Sequence, residues 1–162
     1  MGNAEAQKEH LWLHQLVGEW TTEMEASMGP DKPPEIHRGT ETAAKFGNVW
    51  VQCHGSHGNM PDGTPGTTIM TLGYDPAKQK FVGSFIGTMM TNIWIYEGSL
   101  DDEGRILTLD AEGPSFADPK KLAKYQDKIE IVTPDHRILS SQYLGDDGTW
   151  HLFMTAHYRR KT

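Results

Sequence analysis

The spacing of apolar residues changes at Gly18. Before it, Trp12 and Leu16 stand four apart, as do Leu13 and Val17, which lines one face of a helix. Asn3 can cap its start, Glu5 suits the positive end and Gly18 stops it, so a helix is predicted over about residues 4–17. A helix of that length is marginal alone and must dock on the rest of the chain. After Gly18 the period is two. Trp20, Thr22, Met24, Ala26 and Met28 alternate with Thr21, Glu23, Glu25 and Ser27, one face for a core and one for water.

Nine more segments read as strands: 35–46, 48–57, 66–74, 80–87, 91–100, 105–113, 123–133, 137–144 and 149–160. The connectors carry turn chemistry, as in Pro61-Asp62-Gly63, Asp75-Pro76, Asp101-Asp102-Glu103-Gly104 and Gly145-Asp146-Asp147-Gly148. Connections this short cannot make parallel crossovers, so the sheet is an antiparallel meander. Closing about ten such strands removes the exposed edges. The predicted fold is all-β, an antiparallel up-and-down barrel over about 18–160 with one short N-terminal helix, in a single domain of 162 residues. A two-sheet sandwich is the rival, but it needs long connections, and only 113–122 is long and irregular.

Composition narrows the function classes. Eight Met, five Trp and five Tyr supplement a modest stock of Leu, Ile and Val, enough for a broad core. No apolar run approaches the ~20 residues of a membrane helix, and the first residues lack the basic start and apolar core of a secretory leader. A net charge of -7 with no basic block argues against nucleic acid, whose phosphates need a Lys/Arg surface. The single Cys53 excludes an internal disulfide and a Cys-rich zinc site, which makes a reducing, cytoplasmic home the expectation. Cys53 itself reads as a small buried filler.

Gly18-Glu19-Trp20 at the start of the first strand resembles the Gly-x-Trp signature of lipocalins and their calycin relatives. That resemblance implies a structural role for Gly18 and Trp20, with the tryptophan plugging one barrel end and a late arginine, Arg159 or Arg160, packing over it. Residues 10–20, Leu72-Gly73-Tyr74-Asp75-Pro76, the run 87–98, Leu107-Thr108-Leu109, Glu112-Gly113-Pro114-Ser115-Phe116 and the closing run 153–160 are similar to one bacterial family, catalogued as domain of unknown function 1579. The likeness runs from His10 to Arg160 and implies a lipocalin-like barrel with no catalytic residues to carry over.

A barrel of this width can hold one small ligand. Alternation places Trp94 with Tyr96, Tyr125 with Asp127, and Met154 with Trp150, Leu152 and Tyr158 on shared faces. It sets Arg38, Thr40 and Thr42 opposite Glu35, Glu41 and Lys45. The candidate ligand contacts are Arg38, His54, Met90, Trp94, Tyr96, Tyr125, Gln142, Met154 and Tyr158. Met and aromatic side chains give an adaptable apolar wall, although the same residues could fill the barrel as core. Arg38 and Asp127 discriminate, because an inward charge needs a partner or a wet opening. The loop after Glu112 reads as a lid or as plain surface.

The leading expectation is a binding barrel for a small, partly apolar molecule. The alternative is an enzyme on a small hydrophobic or aromatic metabolite, with His54 as general base and Tyr96, Tyr125 or Asp127 orienting the substrate. A haem-binding barrel ranks below both, since no haem signature is present. No cofactor and no metal site are predicted. His54 and His57 fall on opposite strand faces unless Gly55 bends the chain, and His10 and His14, one helical turn apart, lack a third ligand. Val49, Trp50 and Val51 put large apolar groups on both faces of one strand, so a homodimer through its outer face is expected unless the helix covers it.

Overall fold

A computed structural model describes residues 2–162. Each strand pairs antiparallel with its sequence neighbours, and the first pairs with the last to close the barrel. In chain order the strands are β1 (Gly18–Ala26), β2 (Glu35–Phe46), β3 (Trp50–Asn59), β4 (Pro65–Asp75) and β5 (Lys80–Gly87), then β6 (Trp94–Leu100), β7 (Ile106–Pro114), β8 (Leu122–Thr133), β9 (His136–Leu144) and β10 (Trp150–Arg160). This is the predicted up-and-down barrel, with strand bounds within a few residues of those read from the alternation. The connectors behave as their composition requires. Asp101 Oδ1, for example, accepts from the backbone N–H groups of Arg105 (2.8 Å) and Ile106 (3.0 Å), and so fixes the β6–β7 turn. Among the described residues no helix is long and apolar enough to cross a membrane.

The N-terminal helix is shorter than the predicted 4–17. The α-helix α1 spans Lys8–Leu13 and passes into a 3-10 turn at His14–Leu16. It starts after Gln7, not at Asn3, because His10 fixes the entry. The Gln7 N–H donates to His10 Nδ1 (2.9 Å), while His10 Nε2 donates to the Tyr74 carbonyl (2.9 Å). Leu13 and Leu16 are fully buried in the same cluster as Trp20, Val51, Leu72 and Leu107. Trp12 Nε1 donates to the Gly104 carbonyl (2.7 Å), which ties the helix across to the β6–β7 turn. The helix therefore plugs the barrel end at which β1 begins.

Trp20 forms the floor of that plug. It is 1% exposed, and its Nε1 donates to the Leu16 carbonyl (2.9 Å). The arginine packed over it is Arg160, whose guanidinium lies 4.3 Å from the ring and donates to the Val17 carbonyl (2.8 Å). Arg159 is exposed instead, because Trp20 pairs with Arg160 and Thr22 with Tyr158 on the inner face, which turns Arg159 out. Gly18 is required beside them. Its φ is 140°, and a Cβ there would collide with Arg160 Nη1.

Above Trp20 the lower lumen is packed solid, and at its centre lies a buried ion pair. Arg137, 3% exposed, donates through Nη2 to the Glu41 carboxylate, which is 8% exposed. The guanidinium is stacked between the rings of Trp20 (4.7 Å) and Tyr158 (4.1 Å). Burial, with Glu41 beside it, pushes both the Cys53 thiol and the Tyr158 hydroxyl up, so both stay protonated at neutral pH. Outside the barrel, the Trp50 ring lies on Gly73, where a side chain would have no room. Part of the apolar surface that motivated a dimer is thus covered within the chain.

Candidate functional site

The other barrel end carries no helix. Inward residues of the lower half, such as Val51, Leu72, Leu107 and Leu109, are fully buried. Inward residues nearer the open end, including Met24, Thr68, Phe85, Trp94 and Met154, keep part of their surface accessible. Side chains that face inward and still meet solvent define an open bowl above a packed floor.

One side of the bowl is aromatic. Trp94 meets Tyr125 edge to face at 4.8 Å, and its ring lies where a Cβ on Gly113 would stand. Phe116, from the loop between β7 and β8, packs edge to face on Tyr125 (5.6 Å), Tyr143 (5.6 Å) and Phe153 (5.0 Å), yet is 63% exposed. It covers the rings from outside without being enclosed. The β6–β7 ladder pairs only Glu97–Leu100 with Leu107–Asp110, and above it the strands part. There an open hollow of about 460 Å³ lies along the outer wall, lined by the outward Ile95, Glu97, Asp110, Glu112 and Lys124 and reaching the edge of Tyr125. The opposite wall is polar, with His57 Nε2 at 2.9 Å from Thr68 Oγ1. Burial holds His57 below the usual histidine range, so it is neutral at physiological pH.

The bowl's floor holds Asp127. Tyr96 Oη donates to Asp127 Oδ2, and Ser141 Oγ donates to Oδ1 (2.6 Å). Burial pushes the Asp127 carboxyl above its ordinary range, and these two hydroxyls only partly offset it. Burial, with Asp127 beside it, pushes the Tyr96 hydroxyl well up. The folded state therefore holds the Asp127 proton more tightly than the unfolded chain does. Folding carries a cost for ionised Asp127 that is present at neutral pH and disappears as pH falls to the ordinary carboxylate range, about 4. Asp127→Asn is accordingly expected to be more stable than the native chain at neutral pH, with the difference shrinking on acidification. Urea denaturation across a pH series measures it, and a variant less stable at neutral pH would contradict this account.

The structure divides the predicted site residues. Trp94, Tyr96, Tyr125, Asp127, Met154 and Tyr158 all face the lumen, although Tyr158 lies a layer lower, against Arg137. Met90 is half-buried in the turn after β5, at the rim. Arg38 does not face inward. It is exposed on the outer wall and pairs with Glu23 (3.1 Å), because Glu41 takes the inner face of β2 through its bond to Arg137. His54 is likewise exposed on the outer face, which removes it as a base inside the barrel, and His57 is the inward histidine of β3. Gln142 faces outward, where its amide donates to Gln126 (2.7 Å).

Four site residues, Phe153, Tyr143, Ser141 and Phe116, escaped the sequence reading, for three reasons. A bulge between Leu152 and Met154 breaks the alternation of β10, so Leu152 turns out to solvent and Phe153 joins the mouth. Tyr143 shares its face with Ser141, and neither stood out in a mixed strand. Phe116 lies on a loop, where alternation gives no direction.

Rv2717c from M. tuberculosis is similar in structure, with a TM-score of 0.61 at 14% identity over 98% of this chain and 100% of that one. The S-type phycobiliprotein lyase CPES from Guillardia theta gives 0.58 at 12% identity, over 97% and 94%. At such identities the likeness shows the barrel fold alone. No curated protein matches the sequence. A family model does match, over residues 5–160, and it covers nearly every element described above. The chain belongs to the family described as protein of unknown function, DUF1579.

Proposed function

We propose that the protein binds a small, partly apolar molecule in the open end of the barrel. The observation that carries this reading is the group of inward rings Trp94, Tyr125, Tyr143 and Phe153, gathered at an unplugged end beneath the exposed Phe116. Rings in that position pack flat against an apolar ligand and give up little rotamer freedom in doing so. Met24 and Met154 beside them adapt to irregular shapes. The lower half, sealed by Trp20 and the helix, serves as a rigid base.

Thermal denaturation against a panel of metabolites and lipids tests this. A ligand at about 100 times its Kd adds roughly 2.7 kcal/mol to stability. For a ligand so found, Trp94→Ala should weaken binding by about tenfold or more, the usual effect of removing a central aromatic contact. Phe116→Ala should speed both association and dissociation, since Phe116 lies across the entrance. A ligand whose affinity ignores Trp94 would place binding elsewhere.

A further inference from the structure

We infer that Asp127 anchors a protonated nitrogen of the bound molecule, so that the bowl takes a flat apolar body carrying an amine, amidine or guanidine group. This rests on the binding reading above and adds the ligand's charge to it.

The barrel encloses two carboxylates at depth and treats them differently. Glu41 has a cationic partner, Arg137, held rigidly between two rings. Asp127 has none. Among the described residues no Lys, Arg or His forms an ion pair with it. Its two contacts are the hydroxyls of Tyr96 and Ser141, one on each oxygen. A carboxylate offers about four lone-pair sites, so each oxygen can still accept another donor. Arg137 cannot move up to serve it without abandoning Glu41 and its place between Trp20 and Tyr158.

The position of Asp127 gives the unfilled capacity a direction. It follows Tyr125 by two residues on the inner face of β8, which puts it directly below the aromatic wall. The residue keeps a little of its surface accessible, and its carboxyl lies enclosed with Tyr96 and Ser141 at the base of the inward-facing rings. A cation entering there would gain a charge-assisted bond from Asp127 and lie near the faces of Tyr125, Tyr143 and Trp94, which attract positive charge. An anion would meet repulsion at the floor. Tyr96 and Ser141 hold the carboxylate oriented for the incoming group, the usual task of groups one step behind a binding residue.

Calorimetric titration of the full chain with three probes of one shape tests the inference: naphthylmethylamine, naphthylmethanol and naphthoate at neutral pH. The amine should bind about tenfold or more tighter than the alcohol, as a hydrogen bond to a charged group implies, and naphthoate should bind weakest. In Asp127→Asn the amine should fall to the level of the alcohol, while the alcohol keeps its affinity. Equal affinities for amine and alcohol in the native chain, or an amine preference that survives in Asp127→Asn, would overturn the inference and leave the binding reading standing. No heat from any of the three would overturn both. The comparison in the native chain decides even if the variant does not fold.

Discussion

Replacing either Arg137 or Glu41 by leucine should destabilise the protein by about 3–5 kcal/mol, while replacing both together should restore most of the loss. Each single change strands a charge in the packed lower lumen, at 3% and 8% exposure, where no water can replace the lost partner. Leu at 137 leaves Glu41 beside the protonated Cys53 thiol, with no cation to balance it. Leu at 41 leaves a guanidinium whose Nε already has no acceptor. The double variant puts two apolar side chains among Trp20, Tyr158, Val51 and Leu72, where they pack as ordinary core. For a domain of this size each kcal/mol moves Tm by about 2–4 °C, so the single variants should melt roughly 6–20 °C below the native chain. Thermal melts of all four proteins form a double-mutant cycle. Losses that simply add would show that the two groups do not stabilise each other.

The same pair explains where sequence reading fails. Fold class and strand bounds were legible because most strands bury one face and wet the other, and the turns carry Asp, Gly and Pro where chain reversal needs them. Gly18 and Trp20 were legible because alternation and resemblance agreed on them. On β2 the rule that charges face water pointed Arg38 inward and Glu41 outward. Glu41 faces the lumen because Arg137, nearly a hundred residues later, waits there, and only the closed barrel brings the two strands into range. His54 and His57 differ in face by one strand step, and the mixed composition of β3 could not fix the register. The aromatic wall was half legible. Trp94 and Tyr125 follow from period-two spacing, whereas Phe153 depends on a bulge that leaves no mark in the alternation except its own violation. The residues most readily found were those placed by local pattern, and those missed were placed by partners distant in sequence.

Trp20→Ala should be the other costly change, lowering stability by about 3–5 kcal/mol and Tm by roughly 6–20 °C. The tryptophan touches three parts of the closed end at once. Its indole N–H holds the Leu16 carbonyl at the end of the 3-10 turn. One side of the ring supports Arg137 and the lumen pair above it, and the ring also meets Arg160, which binds the Val17, Gln15 and Pro134 carbonyls. Alanine would leave a cavity between two guanidinium groups, one of them deeply buried, and the helix would lose its tie to β1. Trp20→Phe keeps a ring for both arginines and gives up the indole hydrogen bond, so it should cost less, with about 1 kcal/mol for the bond and a further cavity term. Thermal melts and urea titrations of both variants separate these contributions. If alanine and phenylalanine cost the same, the stacking between the arginines contributes nothing and the hydrogen bond to Leu16 carries the whole effect. If alanine melts within a degree or two of the native chain, the closed end is held by Leu13, Leu16 and the helix bonds of His10 and Trp12, and the stack of Arg137, Trp20 and Arg160 is not what rigidifies the base of the bowl.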